Sequence, residues 1–125
     1  MVAGGGRVRA KDGVGRYGED VAVRHLTEAG LHVIARNWRC AEGEIDIVAV
    51  ERGALVICEV KTRSSAACGL PVEAVTRKKA DRLRRLAALW LAEHPAGGAD
   101  IRFDVVSVMR QPVGAAVVEH VRAAF

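Results

Sequence analysis

Disulfide chemistry is the first thing this chain lacks. Its three cysteines, Cys40, Cys58 and Cys68, form no CxxC pair and are odd in number. That speaks against a disulfide framework and fits a reducing, cytosolic compartment. Long apolar runs are also missing. The longest, LAALWLA from Leu86 to Ala92, is far too short to cross a bilayer, so no membrane partner is expected. The N-terminal stretch MVAGGGRVRAKDG is basic, but no apolar segment follows it as a secretory signal requires. The chain therefore reads as soluble and cytoplasmic. His32, His94 and His120 show no metal-ligand spacing with one another or with cysteine. Gly13 to Gly18 matches GxGxxG, but the charged RVRAKD before it is no strand and no ribose-binding acid follows. A dinucleotide site is excluded on that ground. There are no internal repeats.

What is present is a single globular domain. Its 125 residues suffice for one core, with half of them hydrophobic and 27% charged. A net charge of +4 leans mildly towards polyanions. Residues 1–13 are Gly- and Arg-rich without periodicity and read as a flexible basic tail, leaving 14–125 as the domain. A helix is expected from Gly15, with Val21, Ala22, His25, Leu26 and Ala29 on its apolar face and Gly30 as its stop. Leu31 to Arg39 reads as a strand, Cys40 to Gly43 as a turn, and Glu44–Val50 with Ala54–Arg63 as a hairpin. Ser64 to Val75 is a small-residue linker ending in a turn at Pro71. Thr76 caps a second helix running to about Glu93. Its stripe is Ala80, Leu83, Leu86, Ala87 and Trp90, and Pro95 with Gly97-Gly98 ends it. Ile101 to Met109 and Val117 to Val121 complete a mixed central sheet, an antiparallel meander followed by a crossover strand, flanked by helices.

The hairpin carries the chemistry. Both arms are apolar on both faces near the turn, as in strands covered on each side, yet Asp46, Glu59 and Lys61 are embedded in them. A two-residue Arg52-Gly53 loop pairs Glu51 with Ala54. Counting back sets Val48 opposite Ile57, Asp46 opposite Glu59 and Glu44 opposite Lys61. Opposed side chains have Cβ atoms about 4.5–5.5 Å apart, where like charges repel. Two carboxylates so placed call for a cation between them or a proton on one, and oxygen ligands suit Mg²⁺ or Mn²⁺. A three-residue loop would instead turn Asp46 and Glu59 to opposite faces. The competing interpretation is a solvent-facing salt-bridge cluster in which Lys61 pairs with Glu44.

The pattern D-x(12)-E-x-K across a strand–turn–strand resembles the PD-(D/E)XK nuclease superfamily. The longer string NWR…GEIDIVAV…EVKTR, behind a GxxGE helix start, resembles the YraN-like family of small bacterial proteins, related in fold to archaeal Holliday-junction resolvases. The likeness runs from Gly15 to the terminal VRAAF. One departure from the superfamily's name is that Ile45, not proline, precedes Asp46. The resemblance implies a restriction-endonuclease-like fold and hydrolysis of phosphodiester bonds with Mg²⁺ or Mn²⁺, on branched or structured DNA by analogy. It implies Asp46 and Glu59 as metal ligands and Lys61 as the residue that orients the nucleophile or balances charge. It also gives Glu19 a catalytic role, whereas an acid in a helix's first turn is favourable in any case.

Thr76-Arg77-Lys78-Lys79 sets three cations at a helix end where the macrodipole is already positive. Bound phosphate would reverse that penalty. Lys79 shares the stripe of Leu83 and Trp90 and should lean towards the sheet. Lys79, Arg63, Arg77 and Lys78 are thus the expected phosphate contacts, against a merely solvated basic face, which Arg82, Arg84 and Arg85 are expected to form. Gly18 would let the first helix approach the sheet closely. His25 and Cys58 read as packed residues, and Trp38 suits either a stacked base or strand packing. The expected function is a metal-dependent endonuclease, with a non-catalytic nucleic-acid-binding module of the same fold as the alternative. Enzymes of this kind often pair to cut two strands, so a homodimer is an option, although no dimer patch is evident.

Overall fold

The computed structural model describes residues 13–63, 76–95 and 100–125. The tail up to residue 12, the linker between Ser64 and Val75 with Cys68 and Pro71, and Gly97-Gly98 lie outside the described residues. The order is α1 (Gly13–Glu28), β1 (His32–Cys40), β2 (Gly43–Glu51), β3 (Ala54–Arg63), α2 (Arg77–Glu93), β4 (Ile101–Met109) and β5 (Val117–Val121). The strands form one sheet in the order β1-β2-β3-β4-β5. β1, β2 and β3 are an antiparallel meander, β4 runs parallel to β3, and β5 is antiparallel to β4. This mixed sheet flanked by helices is the expected α/β class, consistent with a restriction-endonuclease-like fold. Among the described residues no helix is long and apolar enough to cross a membrane.

Each face of the sheet carries its own core. Ala22 and Leu26 of α1 pack with Ile47, Ala49, Val56, Cys58, Val106 and Val108. Leu83, Leu86, Ala87 and Trp90 of α2 pack with Ile45, Val48, Leu55 and Ile57 on the other side. Strands covered on both faces need apolar residues at successive positions, which explains the unbroken run Ile47–Ala49 and Leu55–Cys58. Cys58 is fully buried there, and burial pushes its thiol well above the ordinary value.

α1 ends in a Schellman motif. Leu31 N donates to Leu26 O at 3.0 Å and Gly30 N to Thr27 O at 3.1 Å, with Gly30 at φ +100°. Ala29 falls in that turn and is exposed, so it leaves the apolar stripe expected of it. Thr76 caps α2, its Oγ1 accepting from Lys79 N at 3.1 Å. The hairpin turn has Arg52 at φ +50° and Gly53 at φ +84°, the two left-handed residues of a type I′ turn. Glu51 accordingly pairs with Ala54 and Val48 with Ile57, the register expected from a two-residue loop.

The far end of the sheet is tied by a buried ionic network. Asp104, fully buried, accepts from Arg102 Nε and Nη2 at 2.8 Å each, from His120 Nε2 at 2.7 Å and from Ala123 N at 3.1 Å. Arg102 and Arg122 also converge on Glu51. Burial would raise the Asp104 carboxyl, but the His120 and Arg102 hydrogen bonds outweigh it and hold it at about 2.

Candidate active site

Glu59 is the centre of a charge cluster on the α2 side of the hairpin. Its neighbours on β3, Cys58 and Val60, face α1, so Glu59 and Lys61 fall on the α2 face. There Lys79 Nζ lies 2.6 Å from Glu59 Oε2 and Lys61 Nζ lies 3.8 Å from the same oxygen. Lys79 therefore leans on the sheet, as its stripe requires. Burial and the neighbouring Lys79 push the Lys61 amine below its ordinary value, while Glu59 pulls the other way. Lys79 moves upward, because its bond to Glu59 outweighs its own burial. All three side chains are between 13% and 25% exposed, shielded but open to a ligand.

Asp46 adjoins this cluster at the end of the hairpin ladder. The last paired residues are Ile47 and Cys58, so the expected pair of Asp46 with Glu59 lies just beyond the ladder. Here the Asp46 carboxylate accepts the Val60 N–H, at 2.8 Å. The strand also changes face at this point. Ile47 packs towards α1 and Ile45 towards α2, although regular strand alternation would put both on one face, so the alternation is broken at Asp46. β1 changes face at the same row. Arg36 reaches α1, bonding Glu19 at 3.0 Å and Asp20 at 2.6 Å. Trp38, two residues on, packs edge-on against Trp90 at 5.7 Å between ring centroids. Packing rather than an open stacking face is thus the role of Trp38 here. Arg36 pairs with Ile47 and Trp38 with Ile45, which sets Asn37 opposite Asp46.

Glu19 lies on α1 and is 2% exposed. Because α1 begins at Gly13, Glu19 is past the first turn, and the helix-end explanation of this acid fails. β1 holds it instead, Asn37 Nδ2 donating to Oε1 at 2.7 Å beside Arg36. Gly18 makes this approach feasible, since a Cβ there would sit 1.9 Å from Thr62 Oγ1. Glu19, Asp46 and Glu59 do not form one metal-sized group: among the described residues no three His, Cys, Asp or Glu stand together closely enough to hold an ion. The link from Glu19 to the hairpin runs through Asn37, which the sequence reading did not single out. Its signal was an amide inside an apolar strand, within the string NWR.

The mouth of the cluster is basic. Thr76, Lys78, Lys79, Arg82 and Arg85 line a cleft of about 240 Å³. Arg77 is exposed and outside that lining. Arg82 and Arg85 are exposed, as expected of a solvated face, and border the same cleft as the lysines. Arg84 instead pairs with Asp81 at 3.2 Å and covers the Phe125 ring. Arg63 ends β3 and borders a smaller cleft beside Lys61. Glu44, the alternative partner considered for Lys61, pairs with Arg39 at 3.2 Å.

Comparison with known proteins adds a family. The model of the uncharacterised protein family UPF0102 matches residues 18–108. This chain belongs to the UPF0102 family. The family, YraN-like, falls within the restriction-endonuclease-like superfamily. A UPF0102 protein of Beutenbergia cavernae is 60% identical, covering 92% of this chain and 98% of its own length. UPF0102 proteins of Frankia alni and Streptomyces griseus are 57% and 55% identical, covering 94% and 92% of this chain and 98% of their own lengths. In this UPF0102 chain the matched span includes Glu19, Asp46, Glu59, Lys61 and Lys79. The donor chemistry of Asp46 and Glu59, hard anionic oxygens on adjacent strands, fits Mg²⁺ or Mn²⁺. The Lys79 ammonium on Glu59 holds the place a cation would take on that oxygen.

Proposed function

We propose that this protein is a divalent-metal-dependent endonuclease acting on nucleic-acid phosphodiesters in the cytoplasm. DNA is favoured over RNA, and branched or structured DNA is favoured by analogy with its superfamily. One observation carries the reading: Glu59 and Lys61 sit together on β3, beside Asp46, at the mouth of a basic cleft opened by the first turns of α2. Mg²⁺ or Mn²⁺, held by Asp46 and Glu59, would neutralise charge on the scissile phosphate and lower the pKa of an attacking water. Lys61 orients that water and offsets the negative charge that grows on the phosphorane. Lys79 exchanges its bond to Glu59 for one to a backbone phosphate, with Lys78, Arg77 and Arg63 tracking the strand. Glu19 acts through Asn37 as an outer carboxylate. A second copy of the chain would provide the second cut.

A specific observation also favours a second reading, in which the fold grips nucleic acid without cutting it. Glu59 is already engaged by two ammonium groups, so the cluster is electrostatically satisfied without an ion. Cleavage assays separate the two. Labelled junction, flap and single-stranded DNA incubated with Mn²⁺ should be cut by the wild type and left intact by Asp46→Ala and Lys61→Ala. Binding to all these substrates without metal-dependent cutting would favour the binding module.

A further inference from the structure

Asn37 is held in a conformation that a strand residue rarely adopts. Its φ of +54° lies in the left-handed region, which asparagine tolerates better than most residues but which is uncommon inside a strand. Such geometry persists only where surrounding structure fixes it, and it concentrates at functional sites. The side chain is equally constrained. A carboxylate only accepts hydrogen bonds, so the amide group 2.7 Å from Glu19 Oε1 must be Nδ2. Oδ1 is thereby turned away from Glu19. It is buried, and among the described residues it has no hydrogen-bond partner.

A buried acceptor without a partner calls for an explanation such as an ion or its water. The register supplies the neighbourhood. Asn37 falls between the pairs Arg36–Ile47 and Trp38–Ile45, opposite Asp46, whose carboxylate accepts the N–H of Val60, the residue after Glu59. Where the β2–β3 ladder ends, an amide oxygen on β1 thus stands across from one carboxylate, which is tied to β3 one residue beyond a second. Both β1 and β2 change face at this row, as Arg36 against Trp38 and Ile47 against Ile45 show. We infer that Asn37 Oδ1 is a third oxygen donor of the cation site, binding the ion directly or through one of its waters, while Nδ2 latches the site to Glu19. Neutral amide oxygens complete carboxylate sites for hard cations without adding charge repulsion. This rests on the reading of Asp46 and Glu59 as cation ligands.

Electron paramagnetic resonance titration of Mn²⁺, which reads free ion directly, tests it on the full chain. Asn37→Gly keeps the left-handed backbone and removes the amide, so it should still melt cooperatively, at a somewhat lower temperature because Glu19 loses a donor. Its Mn²⁺ affinity should fall about tenfold or more, the scale on which support of a metal site is felt. Asn37→Asp keeps an oxygen but loses the donor to Glu19, and should hold Mn²⁺ at least as tightly as wild type. If Asn37 serves only to place Glu19, the aspartate and glycine variants should lose affinity together, which would overturn the inference. Wild-type affinity in Asn37→Gly, with Asp46→Asn unable to bind, would overturn it while leaving the proposed function standing. No binding by the wild type would sink both.

Discussion

Replacing Gly18 by alanine sets two effects of opposite sign against each other. Inside a helix, alanine is favoured over glycine by about 1 kcal/mol, so an exposed site would be stabilised. At Gly18 the added Cβ would meet Thr62 Oγ1 at 1.9 Å, Cγ2 at 2.7 Å and Cβ at 2.8 Å. The first two atoms can move by rotating Thr62. The third cannot without shifting α1 away from β3. Overpacking of this kind costs typically about 1–3 kcal/mol, enough to cancel the propensity gain and leave a net loss of up to about 2 kcal/mol. The loss should also reach the site, because Glu19 follows in sequence and its bonds to Asn37 and Arg36 depend on where α1 sits. Urea denaturation measures the stability, and a cycle with Thr62→Ala isolates the contact. In the Thr62→Ala background the penalty of Gly18→Ala should shrink, yet not vanish, since Cβ of residue 62 remains. Higher stability of Gly18→Ala in the wild-type background would refute the close approach of α1 to β3.

Other expectations follow from the same contacts. Lys79→Met should weaken nucleic-acid binding and reduce the slope of log K against log salt by about one, read by fluorescence anisotropy across a sodium chloride series; an unchanged slope would remove Lys79 from the phosphate contacts. Trp90→Ala deletes a buried ring that meets Trp38 edge-on and His94 face to face at 3.6 Å, and should cost about 3–5 kcal/mol in urea titration. Acid stability should follow Asp104 and Glu51, both held at about 2 against ordinary values of 3.8 and 4.5. For Glu51 the cause is the paired Arg122 and Arg102. Lowered folded-state values mean that the stabilisation is complete above about pH 4.5 and is lost as pH falls towards 2. Melting temperature should drop across that window, and less steeply in Asp104→Asn, whose baseline stability is lower because Arg102 and His120 lose their anion.

The sheet and its helices were legible because each signal was local. Thr76, Gly30, the Arg52-Gly53 turn and the two stripes all declare themselves within a few residues. The hairpin register followed from the turn alone, from Glu51–Ala54 as far as Ile47–Cys58, one step short of Asp46 and Glu59. Three features were not legible. The face change at Asp46 and Asn37 needs two strands to break alternation together, and neither strand's own pattern announces it. The position of Glu19 beyond the first turn depended on where α1 begins, which a Gly-rich lead-in does not reveal. The Asp104–Arg102–Glu51–His120 network joins three strands, β2, β4 and β5, and only the folded sheet brings them together.

The cation itself is the most direct object of measurement. Isothermal titration of Mn²⁺ into the wild type should show one saturable site whose heat is lost in Glu59→Gln, because that substitution keeps the shape of the side chain and removes one anionic ligand. Identical isotherms for the two proteins, or no heat from the wild type, would contradict the assignment of the hairpin carboxylates as cation ligands.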